Sequence, residues 1–346
     1  MSKIEKRIEI VRSSNPRLSS LSEQSSNSIY EVLKKHYVSV GVTTINKSSD
    51  LPKILEADPD LVFMGINYVP LNSRMLPNSY KKRWVSEYLE KNAVAYTGSV
   101  KSARRLESNK AWAKQAVSEA GLDTAKHFVS GRSSLMSYRP RLNYPVFIKP
   151  VDRGGGLGID SNSLAHNSNE MKLKVESIAK TFYSNSIVEE YLPGREFSVA
   201  ILKKEWSDGY HLMPLELIAP LGKSGARFLS SEVKSGNTED FTAVTDPTIK
   251  LKVNELALGA FLALGARDYG RIDIRLDGYG TPHFIEANLT PSLIAGYGSF
   301  PKACMLNIGL GYEQMILTIV RLAMLRAEPE FVDQNIPVLS VAPLAP

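Results

Sequence analysis

Short apolar runs alternate with amphipathic stretches along the first hundred residues. Residues 8–11 (IEIV) predict a strand, and the polar, turn-rich SSNPRLSSLSEQSSN predicts a loop after it. SIYEVLKKHYVSVG then carries apolar positions at helical spacing. DLVFMGINY, bounded by Pro59 and Asp60, predicts a buried strand; SYKKRWVSEYLEKN predicts an amphipathic helix and AVAYTGS another short strand. Strand–helix alternation of this kind argues for an open α/β domain ending near residue 100.

Beyond it, SNKAWAKQAVSEAGL predicts a helix capped by Ser108 or Asn109 and stopped by Gly121. YPVFIKP predicts a buried strand, LGI at 157–159 a returning strand, and IVEEYLPGREFSVAIL two strands around a Pro-Gly turn. Residues 214–248, punctuated by Gly222, Gly225, Gly236 and Pro247, predict a long irregular loop, and a loop of that length usually has a function. KLKVNELALGAFLALG predicts an apolar helix. YGRIDIRLDGYGTPHFIEANLTP predicts a hairpin with Asp277-Gly278 near its turn, NIGLGYEQMILTIVRLAMLRA a C-terminal helix, and the residues after Pro329 an extended strap. No internal repeat is visible.

At 346 residues the chain has room for two or three modest domains. Hydrophobic content of 43% and charged content of 23% describe an ordinary soluble globular protein. No apolar run approaches a membrane span, the N-terminus lacks the apolar core of a signal peptide, and a single Cys304 excludes a disulfide framework and a cysteine zinc site. These features predict a cytoplasmic protein without a membrane partner. The net charge of +6 is spread out, with only short pairs at 34–35, 81–82, 104–105 and 203–204, and no nucleic-acid motif accompanies it. No nucleic-acid partner is therefore expected; a mild positive balance suits an enzyme whose substrates are anions.

Candidate chemistry concentrates in three places. In FIKPVDRGGGLGIDS, Lys149 ends an apolar run and three glycines, Gly154, Gly155 and Gly156, follow. Such a run is either a flexible hairpin tip or a phosphate cradle of bare backbone N–H groups with a lysine beneath. It is not a Walker A loop, since the lysine precedes the glycines. In RIDIRLD, Arg271, Asp273 and Arg275 share one face, and across the hairpin Glu286 and Asn288 of FIEAN share another. The pattern reads either as cross-strand ion pairing or as an all-oxygen Mg²⁺ site, with Arg271 placed for developing negative charge. Glu189 and Glu190 end a strand before Tyr191, either as solvated carboxylates or as a linker offering backbone groups and a carboxylate to a flat base.

Taken in order, YTGS…SNK, YPVFIKP, the glycine loop, VEEYLPGREF, GRIDIR and FIEANLTP resemble the ATP-grasp superfamily, and within it the D-alanine–D-alanine ligase branch, over roughly residues 90–325. The resemblance implies an N-terminal α/β domain (1–100), a central lobe with the glycine loop (101–192), a C-terminal lobe with the metal site (193–330) and a tail (331–346), with ATP between the two α+β lobes. It implies phosphate contacts from Lys110, Lys149 and a loop including Gly154, Gly155, Gly156 and Gly158. It also implies a base-edge linker at Glu189, Glu190 and Tyr191, and a ribose contact at Glu196. Asp273, Glu286 and Asn288 match the ligands of Mg²⁺, two ions with Mn²⁺ as a substitute, and Arg271 the arginine that stabilises the tetrahedral intermediate. The implied reaction joins a carboxylate to an amine through an acyl phosphate, on small-molecule substrates, in an enzyme that forms a homodimer.

The departures from that branch fall at the amino-acid site. The His-Gly…Gly-Glu-Asp-Gly stretch of the first domain is replaced by NYVPLNSRMLPNSYKKRW. The N-terminal turn reads RSSNPRLSSLSEQ, with Glu23 the only candidate for the glutamate that holds the first amino group. Gly155 and Gly156 replace a serine pair, Lys234 and Ser235 stand for Lys-Tyr in the long loop, and Asn-x-x-Pro-Gly becomes Asn288-Leu-Thr-Pro291-Ser292. A polar site built for one substrate rejects analogues that leave its groups unpaired. The expectation is therefore a ligase for substrates other than D-Ala–D-Ala, the alternatives being a cyclising, kinase-like or carboxylating relative, or a nucleotide-binding protein without catalysis.

Overall fold

The computed structural model describes residues 3–72, 81–131, 141–222, 225–236 and 238–328, without the side chains of Ser231, Lys234 and Ser235. The expected roles of Lys234 and Ser235 and the expected tail at 331–346 lie outside the described residues.

Four parallel strands form the N-terminal sheet, in the order Tyr37–Thr44, Ile4–Arg12, Leu61–Met64, Ala95–Tyr96. The first helix, Glu23–His36, starts earlier than the apolar spacing predicts, because Ser22 caps it by accepting from the Ser25 N–H at 3.1 Å. It also stops earlier. The YVSVGVTT that follows is rich in β-branched residues and becomes a strand paired with Ile4–Arg12. SYKKRW is likewise not helical where it is described: Lys82–Trp84 pairs antiparallel with Tyr68–Pro70, and the helix begins at Val85.

A second, antiparallel sheet runs His127–Ser130, Ser186–Glu190, Val146–Pro150, Leu164–Ala165. It has a small core of its own, in which Ile178 of helix Ser168–Phe182 packs with Val146, Ile148, Ala165 and Val188. The expected strand at 157–159 does not form. Gly155, Gly156 and Gly158 all take left-handed φ, and three such residues in four break an extended ladder.

The third sheet has five antiparallel strands: Asp240–Ala243, Tyr210–Ile218, Glu196–Lys203, Tyr269–Leu276 and Pro282–Asn288. Both faces are buried. Val199 and Ile201 meet helices Lys110–Glu119 and Pro247–Ala263 on one side. Ala200 and Leu202, alternating with them, meet Ser299–Ile308 and Tyr312–Ala327 on the other. The expected C-terminal helix starts later, at Tyr312, and a separate helix, Ser299–Ile308, precedes it and ends where Gly309 adopts φ 65°. Their apolar faces also reach Ile8, Ile10 and Phe63, so the N-terminal and five-stranded sheets share one continuous core. Residues 214–248 are more regular than expected: the strand runs to Ile218, Ser231–Gly236 is a short helix, and Asp240–Ala243 pairs along the sheet edge. Among the described residues no single helix is long and apolar enough to cross a membrane.

Candidate active site

The hairpin of Tyr269–Leu276 and Pro282–Asn288 places four polar side chains on one face by register alone. Arg271 lies opposite Asn288, and Asp273 opposite Glu286. A bulge follows immediately, with Ile274 opposite Phe284, so Ile285 is an extra residue on its strand and lines the site beside Glu286. Arg271 grips Asp273 with two hydrogen bonds, Nε to Oδ1 at 2.9 Å and Nη2 to Oδ2 at 2.8 Å. Ser198 Oγ donates to Asp273 Oδ1 at 2.9 Å, Asn288 Nδ2 to Oδ2 at 3.1 Å, and Arg271 Nη1 to Ser299 Oγ at 2.9 Å. Burial works against the Arg271 charge, but Asp273 outweighs it and keeps its pKa above the usual arginine value.

These residues line a cleft of about 690 Å³ together with Lys110, Asp152, Arg153, Gly154, Gly155 and Leu157. Lys110 opens its helix just after Asn109, whose side chain accepts from the N–H groups of Ala111 and Trp112. Its ammonium lies 3.3 Å from Glu286 and donates to the carbonyl of Arg153 at the root of the glycine loop. At Gly155 the open space beyond the backbone and the φ of +65° both favour glycine, and the loop presents bare backbone to the cleft. Gly156 is buried and Gly158 packs on Pro150; neither lines the cleft, so they shape the turn instead.

A pocket of about 70 Å³ adjoins the cleft, sharing Asp273 and Glu286 with it, and holds Lys149, Glu189, Glu190, Tyr191 and Glu196. Phe147, Ile159, Leu192 and Ile285 supply apolar walls, and Phe228 stands edge-on to Phe147 with ring centroids 5.3 Å apart. Glu189 is a buried carboxylate rather than a solvated strand end. It lies 2.7 Å from Lys149 and 3.0 Å from Lys114. Burial alone would raise its pKa, but the two lysines outweigh that and hold it down to about 2. Burial lowers Lys114, whereas Glu189 and Glu286 keep Lys149 above the ordinary lysine value. Glu196 pairs with Arg275 at 3.0 Å, Glu190 with Lys126 at 3.9 Å, and the Arg275 guanidinium stands 5.3 Å from the Tyr191 ring centroid.

Two carboxylates and an amide oxygen on one strand pair suit a hard cation that takes oxygen ligands beside phosphates. Among the described residues no group of three or more His, Cys, Asp or Glu side chains is placed to hold a metal ion; the set here is two carboxylates and one amide. Turning the Asn288 amide presents its oxygen in place of its N–H₂, and the donor set then fits Mg²⁺.

Sequence reasoning missed Lys114, Ser198 and Glu107. Lys114 stands one turn after Lys110, a spacing visible in NKAWAK, but its burial against Glu189 comes from another strand. Ser198 reaches Asp273 because their strands pair in register. Glu107 accepts the Leu289 N–H at 2.6 Å and lines the cleft; burial above all pushes its carboxyl up to about 6. Glu23, the candidate amino-group ligand, instead pairs with Arg12 at 3.7 Å and is absent from the cleft wall, which Pro16, Arg17, Leu18, Ser19 and Ser20 provide there.

Comparison with known proteins agrees with this architecture. The model of the D-Ala–D-Ala ligase C-terminal domain matches residues 118–321. A D-alanine–D-alanine ligase of Bordetella petrii is 30% identical over 235 residues, 67% of this chain and 69% of that protein. A protein of unassigned function from Sinorhizobium fredii is 27% identical over 251 residues, 72% of each. The crystal structure of Bacillus anthracis D-alanine–D-alanine ligase complexed with ATP superposes with a TM-score of 0.71 at 17% identity, covering 94% of this chain and all of that one. Three sheets around a hairpin-borne cleft are thus an ATP-grasp fold. Within that class the chain belongs to the D-alanine–D-alanine ligase family.

Proposed function

We propose that the protein is an ATP-dependent ligase that joins a carboxylate to an amine through an acyl phosphate, acting on amino acids or small derivatives other than a D-alanine pair. The observation that carries this reading is the convergence of Lys110, Arg271, Asp273, Glu286, Asn288 and the glycine loop on one cleft, beside a pocket with apolar walls that holds Lys149. Lys110, Lys149 and the loop would hold the phosphates, and the Tyr191 linker with Phe147 and Ile285 the base. Asp273, Glu286 and Asn288 would hold Mg²⁺, which when bound supplies charge neutralisation to the phosphates. In the first step a substrate carboxylate oxygen bonds to the γ-phosphorus and the bridging P–O bond to ADP breaks. In the second, the amine nitrogen bonds to the acyl carbon, the C–O bond to phosphate breaks, and the surplus amine proton passes to solvent. Arg271, held by Asp273 and Ser299, is fixed before reaction where charge develops on the acyl oxygen.

Support for altered substrates comes from the wall where the first amino group would be held. There Glu23 is turned away, and serines and Arg17 take its place. The test is an ADP-release screen with Mg²⁺, ATP, D- and L-amino acids and simple mono- and diamines, singly and in pairs, with mass spectrometry of products. Release with one pair, and a product lighter than their sum by one water, is expected. Efficient ligation of two D-alanines, or tight ATP binding with no release for any carboxylate, overturns the reading.

A further inference from the structure

Glu239 is a buried carboxylate of the cleft that the ligase chemistry leaves unused. Glu239 precedes the edge strand Asp240–Ala243, lines the cleft, and is 9% exposed. Its Oε1 has a single long hydrogen bond, from the Tyr297 hydroxyl at 3.5 Å, and its Oε2 is buried with no hydrogen-bond partner at all. No ion pair reaches it among the described residues. Lys302 stands over the Tyr297 and Phe241 rings at 5.8 and 5.3 Å from their centroids and is absent from the cleft wall. A carboxylate withdrawn from water without a donor costs stability, on the order of 1–3 kcal/mol or more. Other cleft carboxylates do not bear that cost: Asp273 accepts four hydrogen bonds from three residues, Glu286 has Lys110, and Glu107 accepts the Leu289 N–H.

Tyr297 and Phe241, which line the cleft beside Glu239, present aromatic surface to the same corner. Burial, and then Glu239 itself, raise the Tyr297 pKa, so its hydroxyl stays protonated and donates towards the carboxylate. An anion with a free oxygen beside two aromatic rings is a receptor for an organic cation: the oxygen takes an N–H donor and the rings favour the positive charge. We propose that Glu239, with Tyr297 and Phe241, forms a specificity subsite for a positively charged nitrogen group on a substrate, so that the amine substrate carries a second cationic end where an amino acid would carry a carboxylate. This rests on the ligase reading for its meaning, but its binding test does not need turnover.

Three probes of one length separate the alternatives: 1,3-diaminopropane, propylamine and β-alanine differ at the far end in being cationic, neutral and anionic. Binding is measured by calorimetry on the full chain saturated with Mg²⁺ and a non-hydrolysable ATP analogue. We expect 1,3-diaminopropane to bind at least about tenfold more tightly than propylamine, and β-alanine most weakly. Glu239→Gln should erase the diamine preference while nucleotide affinity, measured on the same sample, is retained; Glu239→Lys should move the preference to β-alanine. Equal or tighter β-alanine binding by the wild type, a diamine preference that survives in Glu239→Gln, or no saturable diamine binding each overturns the subsite. ADP release on adding hydroxylamine with a panel of carboxylic acids tests the ligase reading independently, because hydroxylamine is too small to need the subsite.

Discussion

The cluster of Lys114, Lys149 and Glu189 and the corner at Glu239 treat a buried carboxylate in opposite ways. In the first, one glutamate lies within 3.0 Å of two lysines, and none of the three side chains is more than 4% exposed. In the second, a glutamate almost as buried has one long hydrogen bond and one bare oxygen. The first is neutralised by two lysines of its own, even though its Oε2 lacks a well-aligned hydrogen bond, and it fixes Lys149 in place; the second has no cation beside it among the described residues. The difference separates parts of a site that hold a common substrate in a set geometry from parts that select a particular one.

The comparison can be broken most severely at the hairpin. On the proposed reading, Asp273→Ala or Glu286→Ala should reduce ADP formation to background while circular dichroism still reports a folded chain, because a carboxylate that would hold Mg²⁺ is gone. Arg271→Ala should slow turnover by about 10²–10³-fold with ATP affinity little changed, a split that steady-state kinetics resolves. Glu189→Gln leaves Lys114 and Lys149 buried beside each other without their anion. It should destabilise the fold by about 3–5 kcal/mol, read from the urea midpoint.

The pH dependence of stability sharpens the contrast further. With Glu189 held down to about 2, its contribution is fully present above the unfolded value near 4.5 and is lost as pH falls from there towards 2, by about 3 kcal/mol. Glu107, pushed up to about 6, has the opposite sign: it favours the folded state increasingly as pH falls from about 6 towards 4.5. Urea midpoints across pH 2–7 in wild type, Glu189→Gln and Glu107→Gln separate the two. The smallest effect belongs to Gly155→Ala. No atom lies within 4 Å of the added methyl, so only the left-handed backbone resists it, by about 1–2 kcal/mol.

The sequence is most legible where function resides in neighbouring residues. Alternation in RIDIR and FIEAN gives the shared face, and Ser108-Asn109 before the apolar helical spacing gives the start of the Lys110 helix, with Asn109 the cap in the structure. It is least legible where a local pattern is overruled. YVSV continues the preceding helical pattern, yet pairing with Ile4–Arg12 makes it a strand. LGI reads as a strand, yet the glycines around Leu157 take left-handed φ. Lys114, Ser198 and Glu239 are polar residues of ordinary sequence context, and their importance comes from partners 75, 75 and 58 positions away (Glu189, Asp273 and Tyr297) only once the sheets assemble.

The shared core beneath helices Ser299–Ile308 and Tyr312–Ala327 has a mechanical consequence. Because their side chains are common to the N-terminal and five-stranded sheets, those two layers should open and close to hydrogen exchange as one cooperative unit. The sheet that carries Lys149 and leads into the glycine loop has only its own small core and stands outside that weld. Its amides should therefore exchange separately from that unit, whereas those of the hairpin carrying Arg271 and Asp273 should exchange with it.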